Sequence, residues 1–255
     1  MAKNAKGNLY SNTAFLYDYD PRTLLSFDTD LVLKCVDKTK GDMLEIACGT
    51  GRISIPMHLR TPGRKLTAFD LSDTMLDIFR QKALAAGLQS SGNLQIEKAN
   101  MTNFDFKNKY GLIVLIWRSF QCLFDPGQAH QCLESIKKHM DEETLLLFSV
   151  SVPYLSYGKD WVGKESIAYE ITDPQTGNHI KRTTKNLWAD EKEQIIEYAS
   201  IYDVTAPDGR RESYRDDIKT KYYHPEQIRT LLKNHQFCIH EEHQTDNDIF
   251  LEVGI

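Results

Sequence analysis

No stretch of the 255 residues holds the roughly eighteen consecutive apolar residues that a membrane-crossing helix needs, so no transmembrane span is expected. Cysteine is sparse. The five present (Cys35, Cys48, Cys122, Cys132, Cys238) are scattered, odd in number and never spaced C-x-x-C, which argues against a disulfide framework. They read as reduced thiols of a cytoplasmic protein. The opening MAKNAKGNLYSN lacks the apolar centre of a secretory signal, which gives the same expectation. Positive charge is short as well: the net charge is −5, and basic residues gather only in pairs such as Lys181-Arg182 and Arg210-Arg211. An enzyme acting on nucleic acid needs a basic face against phosphates, so nucleic acid is disfavoured as a partner. Repeats and low-complexity tracts are missing too. What is left is 41% hydrophobic and 26% charged, an ordinary globular balance, in a chain long enough for a large core plus a cap.

Along the chain, strands and helices alternate. Asp20-Pro21 predicts a helix start, followed by an apolar face of Leu24, Leu25, Phe27, Leu31, Val32 and Cys35. Short apolar runs at 42–47, 65–70, 94–99, 110–117 and 144–152 read as five strands. Between them, Pro56 suits a first helical turn, Ser72 caps a helix running to Gly87 with Leu71 and Leu76 as a staple, and Asp125-Pro126 opens another. This rhythm implies a mainly parallel, doubly wound sheet covered by helices. After Pro153 the rhythm changes. Strand-like segments between turn sequences at 173–178, 189–194 and 206–209 predict an inserted antiparallel meander. The expected division is therefore a core of 1–152 and 224–255 carrying an insert of 153–223. A helix at 225–234 and two last strands joined only by QTDN end the sheet in an antiparallel hairpin.

The turn LEIACGTGR (44–52) carries the chemistry. Gly49 and Gly51 after a first strand let a ligand approach the main chain and a helix N-terminus. Asp70 ends the second strand, where a carboxylate can accept from both hydroxyls of a ribose. Together they imply an adenosine-type ligand: a nicotinamide dinucleotide or S-adenosylmethionine. Dinucleotide binding asks for G-x-G-x-x-G, and here Arg52, Ile53 and Ser54 follow Gly51, so the third glycine is absent. Glu45 beside the turn suits the ammonium end of a methionine better than a pyrophosphate. The terminal hairpin favours the second ligand as well.

MLEIACGTGRISIPM, LTAFDLSDTMLDIFRQKA, LQIEKANMTNFDF and YGLIVLIWRSFQCLFD, in that order, resemble the successive motifs of class I S-adenosylmethionine-dependent methyltransferases. The resemblance covers roughly 10–152 and resumes in the last helix and hairpin. It implies that Glu45 and the main chain of Ala47, Cys48, Gly49 and Gly51 surround the methionine portion. Asp70 would hold the ribose, while Leu71 and Met75 would pack on the adenine. Asn100, where relatives often carry an acid, would accept from the adenine amino group, with Met101 beside it. Trp117, Arg118 and Ser119 would flank the methyl-transfer region, and Tyr17 resembles an N-terminal tyrosine that closes over the cofactor.

An activated methyl needs mainly alignment with its acceptor, and a general base only where the acceptor's proton has a high pKa. Some relatives place a histidine after the fourth strand; Gln121 and Cys122 stand there, which favours an amine over a hydroxyl acceptor. No catalytic residue is assigned. The insert should supply the acceptor side: Tyr154, Trp161 and Arg182, with Arg118 and Gln121, offer aromatic walls and cations for a small molecule. The same aromatics would equally suit the insert's own core or a homodimer contact, which similar insertions make in sugar N-methyltransferases. His240 and His243, three apart on a strand, face opposite sides and cannot share a metal. A nicotinamide-dependent oxidoreductase and a non-catalytic S-adenosylmethionine-binding module remain the alternatives.

Overall fold

The structure, a computed structural model, describes residues 10–21, 27–88, 92–153 and 156–255. A 3-10 helix, Ala14–Tyr19, precedes α1 (Phe27–Lys38). Then follow β1 (Met43–Ile46), α2 (Ser54–Arg60), β2 (Leu66–Asp70), α3 (Asp73–Ala85), β3 (Leu94–Lys98), β4 (Leu112–Leu115), α4 (Pro126–Lys137) and β5 (Leu145–Ser151). Four strands, β6 (Glu165–Thr172), β7 (His179–Asp190), β8 (Ile195–Thr205) and β9 (Arg211–Lys221), come next. The chain closes with α5 (Pro225–Asn234), β10 (Cys238–Gln244) and β11 (Asp248–Gly254).

The main sheet runs β10-β11-β5-β4-β1-β2-β3. Strands β1 to β5 are mutually parallel, while β11 pairs antiparallel with both β5 and β10. Burial follows from position. Every residue of β1 and β4 is buried because helices cover both faces, whereas edge strand β3 is half exposed. Ile113, Leu115, Leu146 and Phe148 pack with Leu133 and Ile136 of α4 and Ile228 and Leu232 of α5. On the other face Leu112, Val114 and Leu147 meet Leu31, Val32 and Cys35 of α1 and Met57 of α2. The doubly wound sheet, the terminal hairpin and the antiparallel meander β6-β7-β8-β9 all match the expected fold class. The three expected turns fall between β6 and β7, β7 and β8, and β8 and β9.

Two local expectations are corrected, and a third falls largely outside the described residues: Asp20 closes the preceding 3-10 helix, donating its backbone N–H to Tyr17 O at 3.3 Å, Leu24 and Leu25 lie outside the described residues, and the described part of α1 begins at Phe27. The fourth strand stops at Leu115, because Trp117 turns the chain with a left-handed φ of 63°. Ser72 does cap α3, accepting from Met75 N at 3.3 Å, but Leu71 stays 41% exposed while Leu76 is fully buried.

The N-terminal segment ties the two sheets together. Thr13 Oγ1 donates to Asp216 of β9 at 2.7 Å, Tyr19 Oη to Asp173 at 2.9 Å, and Leu16 packs with Ile180 and Tyr202 of the meander. On its other side Asp18 accepts from Thr50 of the β1–α2 turn at 2.7 Å and pairs with Lys82 of α3 at 2.9 Å.

Candidate active site

The β1–α2 turn is shaped by backbone geometry that few residues accept. Gly49 has φ +54°, and a Cβ there would meet no atom within 4 Å, so its surface is open to a ligand. Gly51, at φ +77°, serves differently: a Cβ would lie 2.1 Å from the Phe79 ring, so it lets α3 pack against the turn rather than admitting a ligand. Ala47 also holds a positive φ, 58°, an uncommon state for a non-glycine residue that tends to gather at functional sites.

Asp70 locks this turn. Its Oδ2 accepts from Gly49 N at 2.9 Å and its Oδ1 from Ser72 N at 2.8 Å, so each oxygen keeps acceptor capacity for a further donor. Burial raises its pKa, partly offset by the backbone N–H groups of Ser72 and Gly49. Glu45 is buried on β1 and accepts from Ser54 Oγ. Its burial outweighs the Ser54 hydrogen bond and the nearby Arg52 charge, pushing its pKa from 4.5 up to about 8.

A cavity of about 820 Å³ opens between the two sheets. From the core it takes Tyr17, Ala47, Gly49 and Asp70, then Leu71, Met75, Asn100, Met101 and Trp117. Glu45 and Cys48 border a smaller pocket of about 50 Å³, which shares Tyr17, Ala47, Gly49 and Trp117 with the cavity; Gly51 borders neither. The oxygen of Asn100, expected to face an adenine amino group, already accepts from Thr102 N and Thr102 Oγ1, both at 3.0 Å, within its own turn.

Of the residues expected on the acceptor side, Arg118, Trp161 and Arg182 line the cavity. Arg182 is not a free cation there. It pairs with Asp20 at 2.9 Å, donates to Ser200 at 3.0 Å, and lies 5.9 and 5.7 Å from the Tyr169 and Tyr202 ring centres. Gln121 does not reach the cavity. It is buried, donating to Ser151 O and Lys221 O and accepting from Ser151 N, and so joins β5 to β9 instead of meeting an acceptor. Tyr154 lies outside the described residues.

Sequence reasoning missed a three-residue clamp. Asp28 of α1 accepts from both Arg52 and the Trp117 indole N–H, and the Arg52 guanidinium stacks 4.4 Å from the Trp117 ring centre. The Trp117 backbone N–H donates to Ser149 Oγ at 2.8 Å. These contacts hold a bulky residue at a φ that costs on the order of 1–3 kcal/mol. Arg52 could have been found from its place directly after the turn. Asp28, sixteen residues before the first strand's core, carries no local signal. Tyr10, Tyr198 and Tyr202, also on the cavity wall, were not singled out either.

An open glycine cradle, a carboxylate at the end of β2 and a second, smaller pocket with a buried acid fit the amino-acid and ribose portions of S-adenosylmethionine. Comparison with known proteins agrees. Residues 43–143 match the family described as "Methyltransferase domain". YqeM of Bacillus subtilis (strain 168), named as a methyltransferase, is 32% identical over 111 residues, 44% of this chain and 42% of that protein. The chain thus spans less than half the length of this curated relative. A solved S-adenosylmethionine-dependent methyltransferase from Clostridium acetobutylicum ATCC 824 superposes with TM-score 0.76 and 19% identity, covering 94% of this chain and 97% of that one. A sugar N-methyltransferase from Streptoalloteichus sp. ATCC 53650 gives TM-score 0.72 and 15% identity over 100% and 96% of the two chains. Residues 43–143 thus resemble a methyltransferase domain, and the chain shares the fold of solved S-adenosylmethionine-dependent methyltransferases.

Proposed function

We propose that the protein transfers a methyl group from S-adenosylmethionine to a small-molecule acceptor, with a nitrogen as the favoured acceptor atom. One observation carries this reading: the glycine turn and the inserted sheet open into the same cavity, so cofactor and acceptor would share a single cleft. When bound, S-adenosylmethionine supplies an activated methyl on a sulfonium. Gly49 and Ala47 would hold its amino-acid portion, with Glu45 and Cys48 behind them. Asp70 would accept from the ribose, Leu71 and Met75 would pack on the adenine, and Met101 and Asn100 would close that end.

The acceptor side supports an amine. Tyr10, Tyr157, Trp161 and Tyr198 supply flat apolar walls, and among the described residues no histidine lines the cavity. Tyr10 is held well above the ordinary phenol pKa, first by burial and then by neighbouring tyrosines, so it is a poor base. A neutral amine offers its lone pair without one, whereas a hydroxyl acceptor would need a base in reach. The shared fold with a sugar N-methyltransferase points the same way. Arg118 and Trp161 would contact the acceptor; Arg182, held by Asp20, would shape the wall rather than bind an anion.

The proposed organisation is a cofactor-binding core of 1–152 and 224–255 with an acceptor cap of 153–223. The cap is also the proposed homodimer contact, and the cytoplasm the proposed compartment. Heat of binding for S-adenosylmethionine and S-adenosylhomocysteine, on the wild type and Asp70→Ala, tests the cofactor site. Release of S-adenosylhomocysteine with amine and hydroxyl acceptors then tests the reaction. Micromolar-range binding weakened in the variant, with turnover on amines, is the expected result. Binding without turnover on any acceptor would favour the non-catalytic module, and turnover chiefly on hydroxyls would overturn the amine reading.

A further inference from the structure

Away from the cavity, the outer faces of α4 and α5 bring together three metal-ligating side chains: His130, Glu134 and His235. We propose that they form a binding site for a divalent transition-metal ion of the zinc or nickel class, joining α5 to α4. His130 and Glu134 are one helical turn apart on α4 and therefore share a face. His235 is the C-cap of α5. One ligand atom from each of the three lies within 4.8 Å of the others, and His235 Nδ1 already stands 3.3 Å from Glu134 Oε1. The two imidazole rings are 4.8 Å apart between centres.

Two imidazoles and a carboxylate are a donor set suited to zinc, with room for water in a fourth position. Ligand bonds of about 2.0–2.1 Å put ligand atoms roughly 3.3 Å apart in a tetrahedron. The separations here need to close by no more than about 1.5 Å, within side-chain rotation for exposed His130 and for Glu134, whose side chain is 44% exposed. His235 is the fixed member, with its side chain 11% exposed.

The backbone favours a cation at this corner for an independent reason. α5 ends at Asn234, so the negative end of its dipole lies at His235. Lys137 Nζ already answers this field, donating to His235 O at 3.1 Å and to Gln236 Oε1 at 3.0 Å. That ammonium fixes the His235 backbone while leaving the His130, Glu134 and His235 side chains to a second cation.

A second trio, Glu241, His243 and Glu252, is as compact. It has one imidazole only, and Lys38 already neutralises Glu252 in a direct ion pair. It therefore serves as the internal control.

The test is titration calorimetry of the chelator-stripped protein with nickel(II), then with zinc(II), on wild type, His130→Ala and His243→Ala. His130 is exposed, so its replacement opens no cavity in the core. The expected result is one saturable site of micromolar-range Kd in wild type and His243→Ala, weakened at least tenfold in His130→Ala. Metal in large excess over Kd should also raise the unfolding temperature of wild type more than that of His130→Ala. No saturable site in wild type, or equal affinity in His130→Ala, would overturn the proposal. These readouts do not involve methyl transfer, so they stand whether or not the functional reading above does.

Discussion

Replacing Glu45 by Gln probes a conflict between stability and ligand binding at the cofactor turn. The amide keeps the shape and can still accept from Ser54, but it cannot ionise. In the wild type burial raises the Glu45 pKa from 4.5 to about 8, so the folded protein holds this proton where the unfolded chain has released it. A raised pKa contributes stability that is fully present below about pH 4.5 and is lost as pH rises to about 8. At pH 7 the pH lies about 2.5 units above the unfolded value, and at about 1.4 kcal/mol per unit the loss is on the order of 3 kcal/mol. Glu45→Gln should therefore match wild type near pH 4.5 and exceed its unfolding free energy by roughly 3 kcal/mol at pH 7. Denaturant unfolding at four or five pH values between 4.5 and 8 measures this directly. Cofactor binding should move the other way. An ionised Glu45 beside a methionine ammonium makes a charge-assisted contact of about 1.5–3 kcal/mol, of which about 1.4 kcal/mol goes to ionising the carboxyl at pH 7, so the variant should bind S-adenosylmethionine up to roughly tenfold more weakly. Parallel stability profiles for the two proteins would refute the burial argument, and unchanged cofactor affinity would place the ammonium elsewhere.

Asp70→Ala should lose about 1–3 kcal/mol of cofactor affinity, read by calorimetry, because it removes ribose acceptors and frees Gly49 N from its anchor. Gly51→Ala should destabilise the fold by about 2 kcal/mol or more, since the new Cβ would strike Phe79 at 2.1 Å in a backbone state that suits glycine; a thermal shift assay reads it. Asp28→Ala leaves the Arg52 guanidinium, whose side chain is only 13% exposed, without its carboxylate, at a cost on the order of 3 kcal/mol in denaturant unfolding. Gln121→Ala should lower stability by cutting three bonds between β5 and β9, yet leave the Kd for S-adenosylmethionine unchanged.

Much of the fold is written locally. β1, β2, β4 and β5 are short apolar runs because both their faces are covered, and the turns of the insert are marked by Asp, Pro, Gly and Asn at the positions where the meander reverses. The cofactor turn is legible for the same reason: its geometry demands glycine at 49 and 51, and its carboxylate must end the next strand. Legibility fails where a side chain's partner is distant in sequence. Asp20 reads as a helix cap because aspartate before proline usually is one, and nothing near it announces Arg182, 162 residues on. Gln121 reads as an acceptor contact because it follows the fourth strand, yet its amide meets β5 and β9.

The N-terminal segment shows what such distant pairings do for the site. Asn12, Thr13, Tyr19 and Asp20 bind three parts of the inserted sheet through Asp216, Asp173 and Arg182, while Asp18 binds the cofactor turn through Thr50 and α3 through Lys82. Neither sheet alone encloses the cavity; Tyr10, Tyr17 and Asp20 of this segment complete its wall. The interactions differ in strength in a way that suits this arrangement. The Asp20–Arg182 pair is about nine-tenths buried on both sides, so breaking it strands a charge, whereas Asp18–Lys82 is about one-third exposed and contributes little. The segment is therefore fastened on both sides: to the inserted sheet by the buried Asp20–Arg182 pair, and to the core by the Thr50–Asp18 hydrogen bond and by packing of its 3-10 helix against α3.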